Sequence, residues 1–360
     1  MAQSHSLSSS SHSEITLQKM PMRAELFSKA ILSRGQNIKK ALKAAQEDRE
    51  AMPKLGVHLD HIKPDIQKVR QYAKVCGFNF DGLTLPLTFP HVLAFNLHLK
   101  LMTHRMFPLP IMGLIHVRNT ITSYRSILVN EFLDLHVCIG ESRLTIKGLE
   151  FDIHTQVNIN NSLVWESTTT NLFLIKKTAK EPNQTRKNTL KQHPNQSPFR
   201  YHQQWPLAEN LGRRYARVSG DANPIHLHKL SAKLLGFKQA ITHGMWLKAH
   251  TLASLNAIIN EQSAITVAVA FKQATPLNNE VKMHYQQSLT REKGKVKGKP
   301  GKQNSEINFD IRSLDGRKLH MTGKISFRPK SPASQSKNTK RSNPLAVIRV
   351  SPETLTKPPR

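Results

Sequence analysis

At 360 residues, with 38% apolar residues and a formal net charge of +29, the chain has length for two ordinary domains and spare polar sequence. Its two cysteines, Cys76 and Cys138, exclude a disulfide framework and a cysteine-based zinc site, and they suit a reducing cytoplasm. No run approaches the roughly 18 consecutive apolar residues of a membrane span, and MAQSHSLSSSSHSEI lacks the apolar centre of a secretory signal.

Residues 1–20 are polar and Ser-rich and read as a disordered N-terminus. Residues 21–53 form a helical N-terminal segment. A helix is predicted over 21–48, with Leu26, Ala30, Ile31, Ile38 and Leu42 on one face. A first body spans 54–177 and a second 200–330, joined by a basic, Pro-punctuated linker at 178–199. KGKVKGKPGKQN, 293–304, reads as a hairpin loop, and 331–360 as a basic disordered tail. Three segments, 176–200, 291–302 and 328–360, hold +18 of the charge, so most of the excess sits outside any core. Solvating segments, or steering of an acidic partner, account for it, and no specific nucleic acid is expected.

The two bodies repeat one another. YAKVCG at 72–77 matches YARVSG at 215–220. PHVLAFNLHLKLM at 90–102 lies opposite THGMWLKAHTLAS at 242–254, each an apolar helix with a His near its start. EFDI at 150–153 lies opposite NFDI at 308–311. Alternating strand pairs follow, with turns at Asn160-Asn161 and Asp315-Gly316. The order predicts a tandem duplication of α+β units, each an antiparallel sheet wrapped around one helix.

The copies differ where chemistry would lie. After YARVSG comes DANPIH, which places Asp221 and His226 five residues apart; in the first copy Phe78 and Leu83 stand at those positions. YARVSGDANPIHLHKLSAKLLGFKQAITHGM, 215–245, resembles the signature of the MaoC-like (hydratase 2) family of (R)-specific enoyl-CoA hydratases and 3-hydroxyacyl dehydratases. That pattern runs from an aromatic residue through Ser-Gly-Asp, Asn-Pro, an aliphatic residue and His to His-Gly-Met. The first body, with LTLPLTFPHVLAFNLHLKLMTH and LVWESTTT, resembles the degenerate half of double hot-dog members. The linker, the 293–304 insertion and the charged tail are not family features.

The resemblance implies a tandem (double) hot-dog and reversible syn hydration of trans-2-enoyl thioesters to (3R)-3-hydroxyacyl thioesters. Such chemistry requires a held water, a proton donor and hydrogen bonds for the thioester oxygen. Asp221 and His226 are the candidate catalytic pair, and burial is expected to lower the His pKa. Gly244 is the candidate oxyanion donor, because it opens the second apolar helix and lacks a Cβ. Val92 stands in its place in the first body. Asn223 is a candidate supporting residue that shapes the loop with Pro224. Val92, Leu93, Phe95, Leu97 and Leu99, with Gly113, are candidates for framing an acyl tunnel.

No nicotinamide, flavin or metal is expected; His226, His228, His243 and His250 cluster in sequence without completing a metal-ligand spacing. The expected partner is an acyl-CoA or acyl carrier protein thioester, and a monomer would already be a pseudo-dimer, with a homodimer also open. Two rival readings stand beside this one: an acyl thioesterase on the same fold, and a non-catalytic nucleic-acid-associated or scaffold protein driven by the basic segments.

Overall fold

The computed structural model describes residues 13–33, 35, 37–175, 197–259, 264–291 and 303–328. The expected tail at 331–360, nearly all of the linker, and most of the 293–304 loop lie outside them. Among the described residues no helix is long and apolar enough to cross a membrane.

The first half runs β1 (Ser13–Leu17), α1 (Arg23–Leu32), α2 (Ile38–Gln46), β2 (Leu55–Ile62), α3 (Ile66–Cys76) and α4 (Phe89–Met102). It continues through β3 (Ile115–Ser123), β4 (Leu133–Thr145), β5 (Gly148–Ile159) and β6 (Ser162–Leu174). The second half runs β7 (Tyr201–Leu207), α5 (Leu211–Ser219), α6 (Pro224–Leu227), α7 (Lys229–Leu234) and α8 (Gly244–Ser254). It ends with β8 (Ala264–Phe271), β9 (Asn279–Arg291), β10 (Gln303–Ser313) and β11 (Leu319–Arg328).

Two details at the start depart from the sequence reading. Residues 13–17, expected to be disordered, form an edge strand parallel to β2, with Ile15 and Leu17 alternating toward the core. The expected single helix over 21–48 is two helices, because the chain leaves α1 at an extended Ser33 and Gly35 adopts φ +69°.

One sheet of eleven strands carries the chain in the order β1-β2-β4-β5-β6-β3-β8-β11-β10-β9-β7. Leaving β1 aside, β2-β4-β5-β6-β3 is matched in reverse by β8-β11-β10-β9-β7. The duplication is therefore visible as a two-fold repeat about the β3–β8 seam, where Arg118 to Ser123 pair antiparallel with Ala270 to Ile265. EFDI and NFDI fall on the equivalent strands β5 and β10. The turn between β5 and β6 places Asn160 and Asn161 at φ +50° and +60°, the conformation a two-residue hairpin demands.

Strand alternation puts Leu133, Leu135, Val137 and Ile139 of β4 on the helix-covered face. The central helices α4 and α8 are apolar nearly all round and correspondingly buried. The repeated YAKVCG and YARVSG segments are α3 and α5, each stopped by a glycine at φ +85° or +84° (Gly77 and Gly220). Their tyrosines, Tyr72 and Tyr215, are both buried and face each other with ring centroids 6.1 Å apart. Helix α8 is tied to the end of α3 across the repeat. Trp246 Nε1 donates to Val75 O at 2.9 Å and His250 Nδ1 to Cys76 O at 2.9 Å.

A charged residue lies at the seam itself. Lys248 of α8 is 0% exposed, and its ammonium donates to Asn119 Oδ1 at 2.6 Å, Val267 O at 2.9 Å and Asn119 O at 3.3 Å. Asn119 belongs to β3 and Val267 to β8, so one side chain joins both halves of the sheet. Burial pushes its pKa well below the usual lysine range. Lys248→Met is expected to remove these hydrogen bonds, leave Asn119 Oδ1 unpaired and cost about 3 kcal/mol, a buried unsatisfied acceptor being worth about 1–3 kcal/mol. Urea unfolding of the full chain measures it; an unchanged midpoint would remove Lys248 from the seam's support.

Candidate functional site

Helix α5 ends at Gly220, and the chain then makes three successive turns. Ser219 Oγ accepts from Asp221 N at 3.2 Å, Asp221 Oδ1 accepts from Asn223 N at 3.2 Å, and Asn223 Oδ1 accepts from Ile225 N at 3.3 Å. Short polar side chains close such turns on their own backbone. Asn223 is thereby the N-cap of α6, with Pro224 as its first residue, and this single turn delivers His226 beneath Asp221.

His226 is 8% exposed, and its Nδ1 lies 2.8 Å from the carbonyl of Ile241. A carbonyl only accepts, so Nδ1 carries the proton and Nε2 of the neutral ring keeps its lone pair. Burial lowers the His226 pKa, partly opposed by the Asp221 carboxylate and the Ile241 carbonyl. Asp221 is more open, with its side chain 31% exposed.

His243, the N-cap residue of α8, completes the arrangement. Its ring stacks on His226 with centroids 3.7 Å apart, and the Tyr215 ring lies 4.8 Å away on the other contact. His243 Nε2 donates to the backbone carbonyl of Asp221 at 3.0 Å, which ties the start of α8 to the turn. Its Nδ1 is buried without a hydrogen-bond partner. The sequence reading had His243 only as part of the His-Gly-Met element and a doubtful metal cluster; the structure makes it a positioning residue. A carboxylate oxygen of Asp221 and ring nitrogens of His226 and His243 all lie within 4.8 Å of one another. That span suits one water bridged by two hydrogen bonds of about 2.8 Å. The donor set resembles a metal triad, but the two rings lie face to face. Each also commits one nitrogen to a backbone carbonyl, which leaves His226 Nε2 and His243 Nδ1 as the nitrogens still open.

Gly244 is the first residue of α8, where an amide has no intrahelical acceptor. A Cβ here would come within 2.8 Å of the Phe271 ring. The equivalent helix α4 starts three residues earlier in the repeat, at Phe89, so Val92 is its fourth residue. The amide of Val92 lies inside a helix and that of Gly244 at the mouth of one. This difference in helix start adds to the difference in side chain between Val92 and Gly244.

Asp221, Asn223, His226 and Gly244 all line one cavity of about 390 Å³. Its far wall comes from the first half, through Val92, Phe95 and Leu99 of α4 and Phe27 of α1. Of the expected tunnel residues, Leu93, Leu97 and Gly113 do not line it; Leu97 is core, 0% exposed. Neither His228 nor His250 joins the site. His228 is exposed and caps α7, accepting from Leu230 N at 3.2 Å, and His250 stacks on Trp246. In the first half, Phe78 and Asp81 line a smaller cavity of about 110 Å³, and Asp81 Oδ1 is taken by the amides of Leu83 and Thr84. Among the described residues, no His lines that cavity beside Asp81.

A family model described as "MaoC like domain" matches residues 190–306. The curated 3-hydroxyacyl-thioester dehydratase X of Mycobacterium tuberculosis is 34% identical over 214 residues, covering 58% of this chain and 72% of that protein. The chain belongs to the MaoC-like dehydratase family. Its class as a hydro-lyase follows with the family, and its fold is the double hot-dog expected from the repeat. The crystal structure of M. tuberculosis HtdX superposes on this MaoC-like chain with a TM-score of 0.59 at 28% identity, covering 75% of this chain and 98% of that one. A MaoC-like dehydratase from Phytophthora capsici, at 15% identity, shares the fold with a TM-score of 0.55 over 82% of this chain and all of the other.

The site concentrates buried imidazoles, which gives the dehydratase a pH signature. Burial pushes His98 and His116 down to about 4, with the Lys248 ammonium adding to the effect on His116, and it also lowers His91, His226 and His243. Unfolded histidines titrate near about 6.5. The unfolded chain therefore takes up protons that the fold refuses. The associated stability is intact above about pH 6.5 and is lost as pH falls toward about 4. The urea midpoint is expected to be lower at about pH 5 than at about pH 7.5; equal midpoints would mean that these rings are not held neutral.

Proposed function

We propose that this MaoC-like dehydratase interconverts (3R)-3-hydroxyacyl thioesters and trans-2-enoyl thioesters, with Asp221, His226 and Gly244 as its working groups. The 3-hydroxyacyl-thioester class is the one named for the M. tuberculosis relative. One observation carries the reading. The Asp221 carboxylate, the unprotonated Nε2 of His226 and the first amide of an apolar helix open on the same cavity.

In the hydration direction the thioester oxygen takes the Gly244 N–H, where the positive end of α8 supports developing negative charge. A water lies between Asp221 and His226. Its oxygen bonds to Cβ as His226 Nε2 accepts one of its protons, and Asp221 orients it through the other. The pair of electrons displaced from the Cα–Cβ bond is held as an enolate on the thioester oxygen. His226 then returns its proton to Cα on the same face, so the addition is syn and the histidine ends neutral. Dehydration is the reverse. Asn223 and His243 hold the turn and the ring, and do not touch substrate in this scheme. The basic surface suits the phosphates of CoA or an acidic acyl carrier protein.

Hydration of 2-enoyl-CoA substrates, followed by loss of enoyl absorbance and chiral analysis of the product, tests the reaction. Thiol release without loss of enoyl absorbance would instead mark a thioesterase. Asp221→Asn and His226→Gln are each expected to lower kcat by about 10²–10⁴-fold with an unchanged melting curve, the usual share of a positioned acid–base group. Gly244→Val is expected to cripple turnover as well. Full activity in either of the first two variants would end the mechanism. With its pKa lowered, His226 stays neutral below about 6.5. The acid limb of kcat/KM is accordingly expected beneath that pH, and His226→Gln should abolish the limb.

A further inference from the structure

The part of the cavity supplied by the first half is not a plain hydrocarbon wall. Beside Val92, Phe95 and Leu99 stand three histidines, His91 and His98 of α4 and His116 of β3. The His91 and His98 rings meet edge to face at 5.2 Å, and His91 and His116 lie parallel at 6.3 Å. His116 in turn packs against Phe271 at 5.0 Å, the ring that covers Gly244. The cluster is therefore one ring removed from the place where the thioester would sit.

Two of the three are satisfied inside the protein. His98 Nε2 bonds Thr155 Oγ1 at 2.8 Å and His116 Nε2 bonds the carbonyl of Arg118 at 3.0 Å. His91 is not. It is 6% exposed, and its Nδ1 is buried with no hydrogen-bond partner. An unpaired imidazole nitrogen inside the protein costs free energy that a leucine at this position would avoid. Thr169 and Asn171 of β6 add hydroxyl and amide groups to the same wall. None of these residues belongs to the acid–base pair.

We infer that this wall is a polar subsite for the acyl chain, and that the preferred substrates carry a hydroxyl beyond the two reacting carbons, hydrogen-bonded to His91. The inference rests on the thioester reading above and narrows it. A hydroxyl suits the site because it both donates and accepts, so it pairs with an imidazole nitrogen in either tautomer. The ring is neutral, held so by burial, by its imidazole neighbours and by Lys248. A polar site that loses its partner discriminates more sharply than an apolar pocket that gains a hydroxyl.

The test uses the full chain and matched 2-enoyl-CoA substrates of one length, either plain or bearing a single hydroxyl walked along the chain. At one position the hydroxylated substrate is expected to exceed the plain one in kcat/KM by at least about tenfold. His91→Leu should erase that preference and raise kcat/KM for the plain chain, while His91→Gln, which keeps a hydrogen-bonding group, should retain part of it. Preference for the plain chain at every position overturns the subsite, and so does a hydroxyl preference that survives unchanged in His91→Leu. Calorimetric binding of saturated acyl-CoAs, with and without the hydroxyl and lacking both the double bond and the 3-hydroxyl, gives the same comparison without turnover. Loss of the reaction and loss of the subsite are thus read separately.

Discussion

One buried ammonium holds the two half-sheets at their seam. Lys248 reaches from the second central helix to oxygens on both β3 and β8, among them the side-chain oxygen of Asn119. The energetic logic is asymmetric. Bringing the charge inside is costly, but once it is there, removing it leaves Asn119 Oδ1 unpaired in an apolar interior. The cavity depends on that seam, since its chemistry-bearing wall comes from one half and its chain-facing wall from the other.

Duplication supplied the frame and divergence divided the work. The same helix–helix–strand order appears twice, with the repeat tyrosines in contact across the pseudo-two-fold. The two central helices begin differently, however. In the second half α8 starts at Gly244, directly after a histidine that grips the turn; in the first, α4 runs on to Phe89 and buries the corresponding amide. The first half's equivalent turn presents Phe78 and a self-capped Asp81, leaving a small cavity without an imidazole. A few residues at one helix end thus separate a half whose helix opens with a free amide on the larger cavity from a half whose corresponding amide lies within its helix.

The geometry around Asp221 rests on short-range bonds made by the turn to itself, with Ser219, Asp221 and Asn223 each closing a two-residue span. Such a turn is stable without a partner, yet it acquires its orientation from elsewhere. Ile241 fixes the tautomer of His226, and His243 stacks on that ring while bonding the Asp221 carbonyl. Both come from the approach to α8, about twenty residues on. Closely packed aromatic rings and one committed nitrogen per imidazole leave each ring little freedom, which is the preorganisation that proton transfer requires.

Much of this was legible in the residues themselves. Repeated motifs in the same order, alternation in the strands and apolar helices determined the doubled architecture, because periodicity and turn chemistry are local properties. The presence of Asp221 and His226 in one copy alone, at the spacing of a family signature, marked the turn that lines the larger cavity. The edge strand at 13–17 and the break near Gly35 were not legible, since a polar, Ser-rich start pairs only when a neighbouring edge is available. Nor were the seam lysine, the stacking of His243 on His226, or the histidines opposite them. Each depends on which side chains from distant segments share a low-dielectric space, and that is decided by packing of the whole sheet, which no local pattern encodes.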